Sequence, residues 1–257
     1  MLSIAPSYRK LSRRMAFRVA QAAMPRIPHT PQSVLSPGAN LPWHVHVHAY
    51  ATLVLEGGYE EAGECGRWHV QAGDVLFHAP FSTHANQTAA RGARLLNLTI
   101  PDSVRQSTCG KVDDMDLLVR LAERDPLEAT AALMLNWQPA RSKLLDAPDL
   151  LAQALSDPDA MGVQAWSRQQ GVSRETAFRW FQSAYGVAPT RYRIEARARR
   201  TWRMIVEGTD DLADIAAWAG YADQAHMTRD IKAFTGRAPG AWRKRRPATF
   251  VQDLGRE

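Results

Sequence analysis

Two groups of residues in this sequence have the types and spacing to do chemistry. His44, His46 and His48 alternate along HVHVHAYATLVLE, and alternate residues of a strand share one face. Imidazoles so placed can converge on a divalent cation or line a pocket that hydrogen-bonds a small molecule. His84 in FSTHAN is a fourth such group. Trp43 and Tyr50 could wall such a pocket, although aromatic residues are more often simply core. His69 and His78 read as ordinary strand residues. The second group suits base-edge recognition. Arg pairs bidentately with guanine and Gln with adenine, while Glu accepts from cytosine. Arg174, Glu175 and Arg179 form one such set, and Gln224, Ala225, His226 and Arg229 another. Ser173, Asp223, Lys232, Arg243 and Lys244 suit helix capping or phosphate contact.

A repeat positions the second group. VQAWSRQQGVSRETAFRWFQSAYG, from Val163, and LADIAAWAGYADQAHMTRDIKAFTG, from Leu212, carry one helix-turn-helix pattern written twice. The copies align at an offset of 49 before the turn (Trp166 with Ile215, Gly171 with Gly220) and of 50 after it (Ser173 with Asp223, Gly186 with Gly236). A one-residue step inside a turn is tolerated because loops absorb insertions. Ser173 and Asp223 are N-cap types, and Ala177, Phe181, Met227 and Ile231 give apolar contacts at helical spacing. Charge agrees with a DNA partner: Val163–Met204 holds nine arginines against Glu175 and Glu195, in a chain of net charge +6. In the joining helix RYRIEARARRTWRMIVEG, Ile194, Met204 and Ile205 are expected to face the two units, and the arginines solvent or DNA.

The histidines belong to a different kind of text. From Pro31 to about Pro101, short segments such as YATLVLE, RWHVQ, DVLFHA and ARLLNLTI are separated by Gly57-Gly58, Gly63, Gly66 and Gly73-Asp74, the pattern of a small antiparallel barrel or sandwich. HVHVHAYATLVLEGG and AGDVLFHAPFSTHAN resemble the two motifs of the cupin superfamily. That resemblance implies a metal set of His46, His48 and His84. The carboxylate that completes such a set is missing, since Ala51, Thr52 and Leu53 stand near its place and Glu56 lies at the strand's end. The alternative for His44, His46, His48 and His84, with Trp43 and Tyr50, is an effector pocket without metal.

Between these regions the pattern is helical. Met115, Leu117, Leu118, Leu121 and Ala122 form an apolar stripe, Asp125-Pro126 restarts the chain as N-cap and first-turn proline, and Leu127, Ala131, Met134 and Leu135 continue it. Residues 113–137 are expected to contribute to a homodimer, with a hinge near 139–150. The ends, 1–30 and 247–257, read as tails. The first is basic, and Arg18 interrupts an apolar stretch that would otherwise resemble an export signal. Cys65 and Cys109 are isolated, which suits a reducing, cytoplasmic setting, and no apolar run nears the ~20 residues needed to span a bilayer.

The C-terminal text is the more specific. Gly171-Val172-Ser173, Phe181, Gly186, Pro189, Tyr192 and Arg197, then Ile215-Ala216, Gly220-Tyr221, Asp223-Gln224, His226, Thr228-Arg229, Lys232, Gly236, Pro239, Trp242 and Arg243 resemble the AraC/XylS family of transcription regulators. Ile231, Phe178 and Trp242 depart from its usual residues. The resemblance implies an α+β chain: a cupin-like barrel over 31–110, a helical connector and dimerisation segment over 111–148, and an all-α double helix-turn-helix domain over 149–246. Its partners would be double-stranded DNA, RNA polymerase and a small-molecule effector, with no membrane partner and no enzymatic activity. The rival reading is a cupin metalloenzyme with an accessory basic domain. A third is a constitutive DNA-binding protein whose barrel only dimerises.

Overall fold

A computed structural model describes residues 32–104, 107–140, 145–157 and 161–244. The two expected tails, and residues 141–144 of the expected hinge, lie outside the described residues. The N-terminal half is one antiparallel sheet of eight strands: β1 (Gln32–Leu35), β2 (Asn40–Val45), β3 (Tyr50–Gly63), β4 (Gly66–Gln71), β5 (Asp74–His78), β6 (Thr83–Thr99), β7 (Thr108–Lys111) and β8 (Gln138–Pro139). The path runs β1-β6-β3-β5-β7-β8, with β2 added on β6 and β4 on β3. Closure of this path into a barrel is not among the pairings of the described residues.

The two long strands organise everything else. β3 and β6 pair from Tyr50↔Thr99 to Gly63↔His84, with irregularities on either side of Glu56–Gly57. There the ribbon bends, because Gly57 and Gly92 both hold positive φ and meet back to back. A Cβ on Gly57 would lie 2.0 Å from the Gly92 carbonyl oxygen, a contact no other residue can make. On one side of the bend β3 carries β5; on the other it carries β4. Leu53, Val75, Phe77, Leu96 and Leu98 pack against α1 (Met115–Arg124) and α2 (Pro126–Asn136) through Leu118, Ala122, Ala129 and Leu133. Val54, Tyr59, Val70, Leu76, Leu95 and Cys109 form a core on the other face. Every residue of β5 is therefore buried, and its alternation is invisible in the sequence.

The connector helices follow their caps. The Asp114 side chain accepts from the Leu117 amide at 2.8 Å, and Asp125 accepts from Leu127 at 2.8 Å. The α1 stripe covers the sheet, with Leu117 left 37% exposed. The expected face of α2 is corrected: Ala129, Thr130 and Leu133 are buried, while Leu127 and Leu135 are 76% and 84% exposed. Apolar residues surround this helix, so periodicity could not select the buried side.

The C-terminal half is helical: α3 (Ala147–Ser156), α4 (Val163–Gln169), α5 (Arg174–Tyr185), α6 (Pro189–Glu207), α7 (Leu212–Trp218), α8 (Gln224–Thr235) and α9 (Pro239–Arg243). Leu151, Leu155, Trp166, Phe181, Tyr185 and Tyr192 form the core of the first unit. Trp202, Ile205, Ile215, Met227 and Ile231 form that of the second. The residues 43–47 reach both: Trp43 joins the first core, and Val45 and Val47 pack on the second.

Candidate nucleic-acid interface and histidine cluster

Each helical hairpin is built by a few residues of fixed role. The Ser173 hydroxyl accepts from the Thr176 amide at 3.1 Å and starts α5; Gly186, at φ +66°, ends it. The Asp223 carboxylate accepts from the His226 amide at 2.6 Å and starts α8, which Gly236 ends at φ +78°. Both turns pass through a left-handed glycine, Gly171 or Gly220, a conformation costly for other L-residues. On α5, Ala177, Phe181 and Tyr185 face inward, leaving Arg174, Glu175, Phe178, Arg179 and Trp180 exposed. On α8, Met227 and Ile231 are buried, and Gln224, Ala225, Arg229 and Lys232 are exposed. The two exposed rows carry the expected base-reading residue types, on helices repeated in kind.

Four expected contact residues have partners within the protein, Ser173 through the cap just described. His226 is half-buried, edge-on to Tyr221, with Nε2 3.6 Å from Asp230. Arg243 donates to the Asp210 carbonyl at 2.5 Å. Asp223 is committed to its cap, whereas Lys244 is exposed. Arg197 ties α6 to the second unit: it donates to the Gly220 carbonyl at 3.2 Å and to Asp230 at 2.9 Å, over the Tyr221 ring at 4.0 Å.

The arginines of α6 do not all face outward, contrary to expectation. Arg199 is 6% exposed and points into the sheet domain. Its Nε donates to the Phe81 carbonyl at 2.9 Å, one terminal nitrogen donates to Thr83 Oγ1 at 2.6 Å, and the other pairs with Glu64. Phe81, itself at φ +59°, buries its ring against Trp202 (4.7 Å), Trp242 (5.4 Å) and Phe234 (5.8 Å). A loop of the sheet domain thus sits in the core of the second unit. The first unit is held by Arg67, which bridges Asp146 and Asp149, while the Tyr185 hydroxyl donates to Asp149 at 2.7 Å. Burial opposes ionisation of Asp149, but the bonds from Arg67 and Tyr185 prevail and hold its carboxyl below the ordinary value.

The histidine group is only partly as expected. β2 ends at Val45 after an irregularity between Leu41 and His44, so the alternation stops before His48. His48 turns away, 76% exposed, with Nδ1 3.3 Å from Asp102. The implied metal set of His46, His48 and His84 therefore does not fit, and neither does His48 as a pocket residue. Trp43 also leaves the group: its indole donates to Glu195 at 2.7 Å and packs on Tyr192. His44, His46 and His84 do come together, and so do Glu61, His78 and His84. The Tyr50 ring stacks on His78 at 4.2 Å, and its hydroxyl lies 3.4 Å from His84 Nε2. Burial, and then the neighbouring imidazoles, lower the pKa of His84 and His78 well below the ordinary value and that of His46 to about 3. Glu61 and His78 were not read as site residues. The one sequence signal is the polarity of His78 at the end of a largely apolar strand; Glu61, beside Glu60, carries none.

Two hollows adjoin the sheet. A cleft of about 1140 Å³ at the β3/β6 bend is lined by Leu35, Glu56, Tyr59, His69, Gln87 and Arg94 among others, and by none of the expected effector residues. A cavity of about 10 Å³ lies among Glu61, His78, Ser82, Thr83 and His84. Among the described residues no helix is long and apolar enough to cross a membrane.

Residues 166–245 match the family described as Helix-turn-helix domain. No curated protein matches the chain. Of the solved structures similar to it, the C-terminal domain of AraT, a response regulator from Geobacillus stearothermophilus, is 18% identical over 45% of this chain and 98% of that one, with a TM-score of 0.39. ToxT from Vibrio cholerae is 10% identical over 84% of this chain and 98% of its own, with a TM-score of 0.38. A transcriptional regulator of the AraC-type DNA-binding class from Chromobacterium violaceum is 19% identical over 40% and 90%, with a TM-score of 0.35. On the family match and the two capped hairpins it covers, residues 166–245 are a helix-turn-helix domain.

Proposed function

We propose that the protein reads DNA through α5 and α8 and that a small ligand held by the sheet domain sets how well it does so. Arg174, Glu175 and Arg179 enter one major-groove segment, and Gln224, Ala225 and Arg229 the next, about one DNA turn (~34 Å) away. Ser173, Lys232 and Lys244 meet phosphates; Asp223, His226 and Arg243 act by fixing the frame. Residues 31–110 are the sensor, 111–148 the connector and dimerisation segment, and 149–246 the DNA-binding domain. His44, His46, Tyr50 and His84 are the effector-side residues, in a cupin-like sheet. The observation that carries the control is Phe81: the loop between His78 and His84 ends inside the core of the second unit. A ligand that shifts this loop has differential contact with two arrangements of the reading heads, which is what allostery requires.

The test is selection of bound duplexes from random DNA by the full chain, repeated with Arg179→Ala and Arg229→Ala. Each variant should lose ~1–3 kcal/mol on the preferred site and relax the preference at one position. Equal loss on every sequence would identify a phosphate contact instead. Absence of any sequence preference at low salt would refute the reading.

A further inference from the structure

The histidine cluster places a second ligand set where the resemblance did not point. Glu61, on the far half of β3, His78, at the end of β5, and His84, at the start of β6, are respectively 5%, 2% and 3% exposed. Each offers an atom within 4.8 Å of the others'. His78 Nδ1 lies 3.7 Å from Glu61 Oε1, and the His78 and His84 rings are 4.7 Å apart. Between them is the cavity of about 10 Å³, large enough for roughly one water or a bare ion. Buried polar atoms are almost always hydrogen-bonded, yet Glu61 Oε2, His84 Nδ1 and Ser82 Oγ have no partner. Three unpartnered polar atoms, two of them on potential metal-binding side chains, thus belong to residues that line one cavity.

From this arrangement we infer that Glu61, His78 and His84 bind one divalent cation of the zinc class. Two imidazoles and a carboxylate are a known zinc donor set, at about 2.0–2.2 Å from the metal, which puts ligand atoms roughly 3.3 Å apart in a tetrahedron. The ligand atoms now lie within 4.8 Å of one another, and side-chain adjustment would draw them to that spacing. Ligation takes the carboxylate form of Glu61 and the neutral form of both imidazoles, so binding would release any protons these groups carry. Ser82 is placed to hold a water in the fourth position. The inference concerns binding alone and stands whether or not the ligand alters DNA affinity.

The probe is Co²⁺ added to chelator-treated full-length protein and followed by visible absorption, with Zn²⁺ as competitor and melting temperature as the second readout. One equivalent of Co²⁺ should give the intense bands of a tetrahedral site, bleached by Zn²⁺, and Zn²⁺ should raise the melting temperature by several degrees. Glu61→Gln should weaken the affinity at least tenfold, and His44→Ala should change it less than twofold. If Glu61→Gln does not fold, His78→Gln serves in its place. Absence of bands and of a melting shift would mean that the cavity holds water, and would overturn the inference. So would bands lost in His44→Ala and kept in Glu61→Gln, which would put the cation at the more exposed His44–His46–His84 trio.

Discussion

Phe81 offers a test in which two substitutions should rank against custom. Its ring is 1% exposed and lies in the second unit's core, touching Trp202 and Trp242. Removing a buried Phe side chain costs about 3–5 kcal/mol in lost transfer energy and cavity. The backbone adds a second contribution. At φ +59° a non-glycine residue carries about 1–2 kcal/mol of strain. Phe81→Ala keeps that strain and should lose the full ~3–5 kcal/mol. Phe81→Gly loses the same ring but relieves the strain, so it should be the more stable variant by ~1 kcal/mol, offset in part by glycine's unfolded-state entropy. At an ordinary position glycine is the worse of the two. The measurement is urea unfolding of the full chain followed by Trp fluorescence, comparing midpoints at constant m. A loss below ~1 kcal/mol for Phe81→Ala would mean that the ring does not join the domains. A Gly variant less stable than the Ala variant would mean that the left-handed backbone is not what holds the loop.

Other outcomes follow from the same contacts. Arg67→Ala strands the buried Asp149 and should cost ~3–5 kcal/mol; combining it with Asp149→Asn should recover part of that in a double-mutant cycle. Asp149 also sets a pH dependence: its folded pKa lies below the ordinary 3.8, so its stabilisation is full above that value and is lost as pH falls through the folded pKa. Between pH 5 and pH 2 the melting temperature of Asp149→Asn should therefore fall less than that of the parent. Gly57→Ala puts a methyl into the Gly92 carbonyl and should cost at least ~2 kcal/mol, read as lowered melting temperature or insoluble protein. Finally, a homodimer through residues 113–137 would use the exposed Leu117, Leu127 and Leu135. Leu117→Glu should shift mass in solution toward monomer, and a parent that is monomeric at high micromolar concentration would refute this.

The helix-turn-helix units were legible because each device in them is local. Ser173 and Asp223 cap the helix that follows them, and Gly171, Gly186, Gly220 and Gly236 mark turns within a few residues of the apolar rows they serve. The histidine cluster was legible only in part. His44, His46 and His84 stood in readable motifs. Glu61 and His78 join them through the β3/β5/β6 pairing, which nothing local encodes. His48 failed for a local reason that alternation could not foresee, the end of β2 at Val45. Arg199 was misread because a buried arginine differs from a solvated one only in its partners, Glu64, Thr83 and the Phe81 carbonyl, all more than a hundred residues upstream. The α2 face was misread because Leu127 and Leu135 are as apolar as the buried Leu133.

The short run from Trp43 to Val47 has a geometric consequence. One end is fixed in the first helical core and the other rests on the second. On the proposed reading, in which α5 and α8 enter the DNA, the sheet would work like the beam of a caliper with these helices as its jaws. While both jaws are clamped, the protein should reject operators whose two recognised segments are displaced by a single base pair, about 3.4 Å along the duplex. Loosening either jaw, with Trp43→Ala or Phe81→Ala, should widen the range of spacings accepted before it weakens binding to the best one. Spacing tolerance, measured on a ladder of duplexes with inserted base pairs, would then report on sensor docking separately from base recognition.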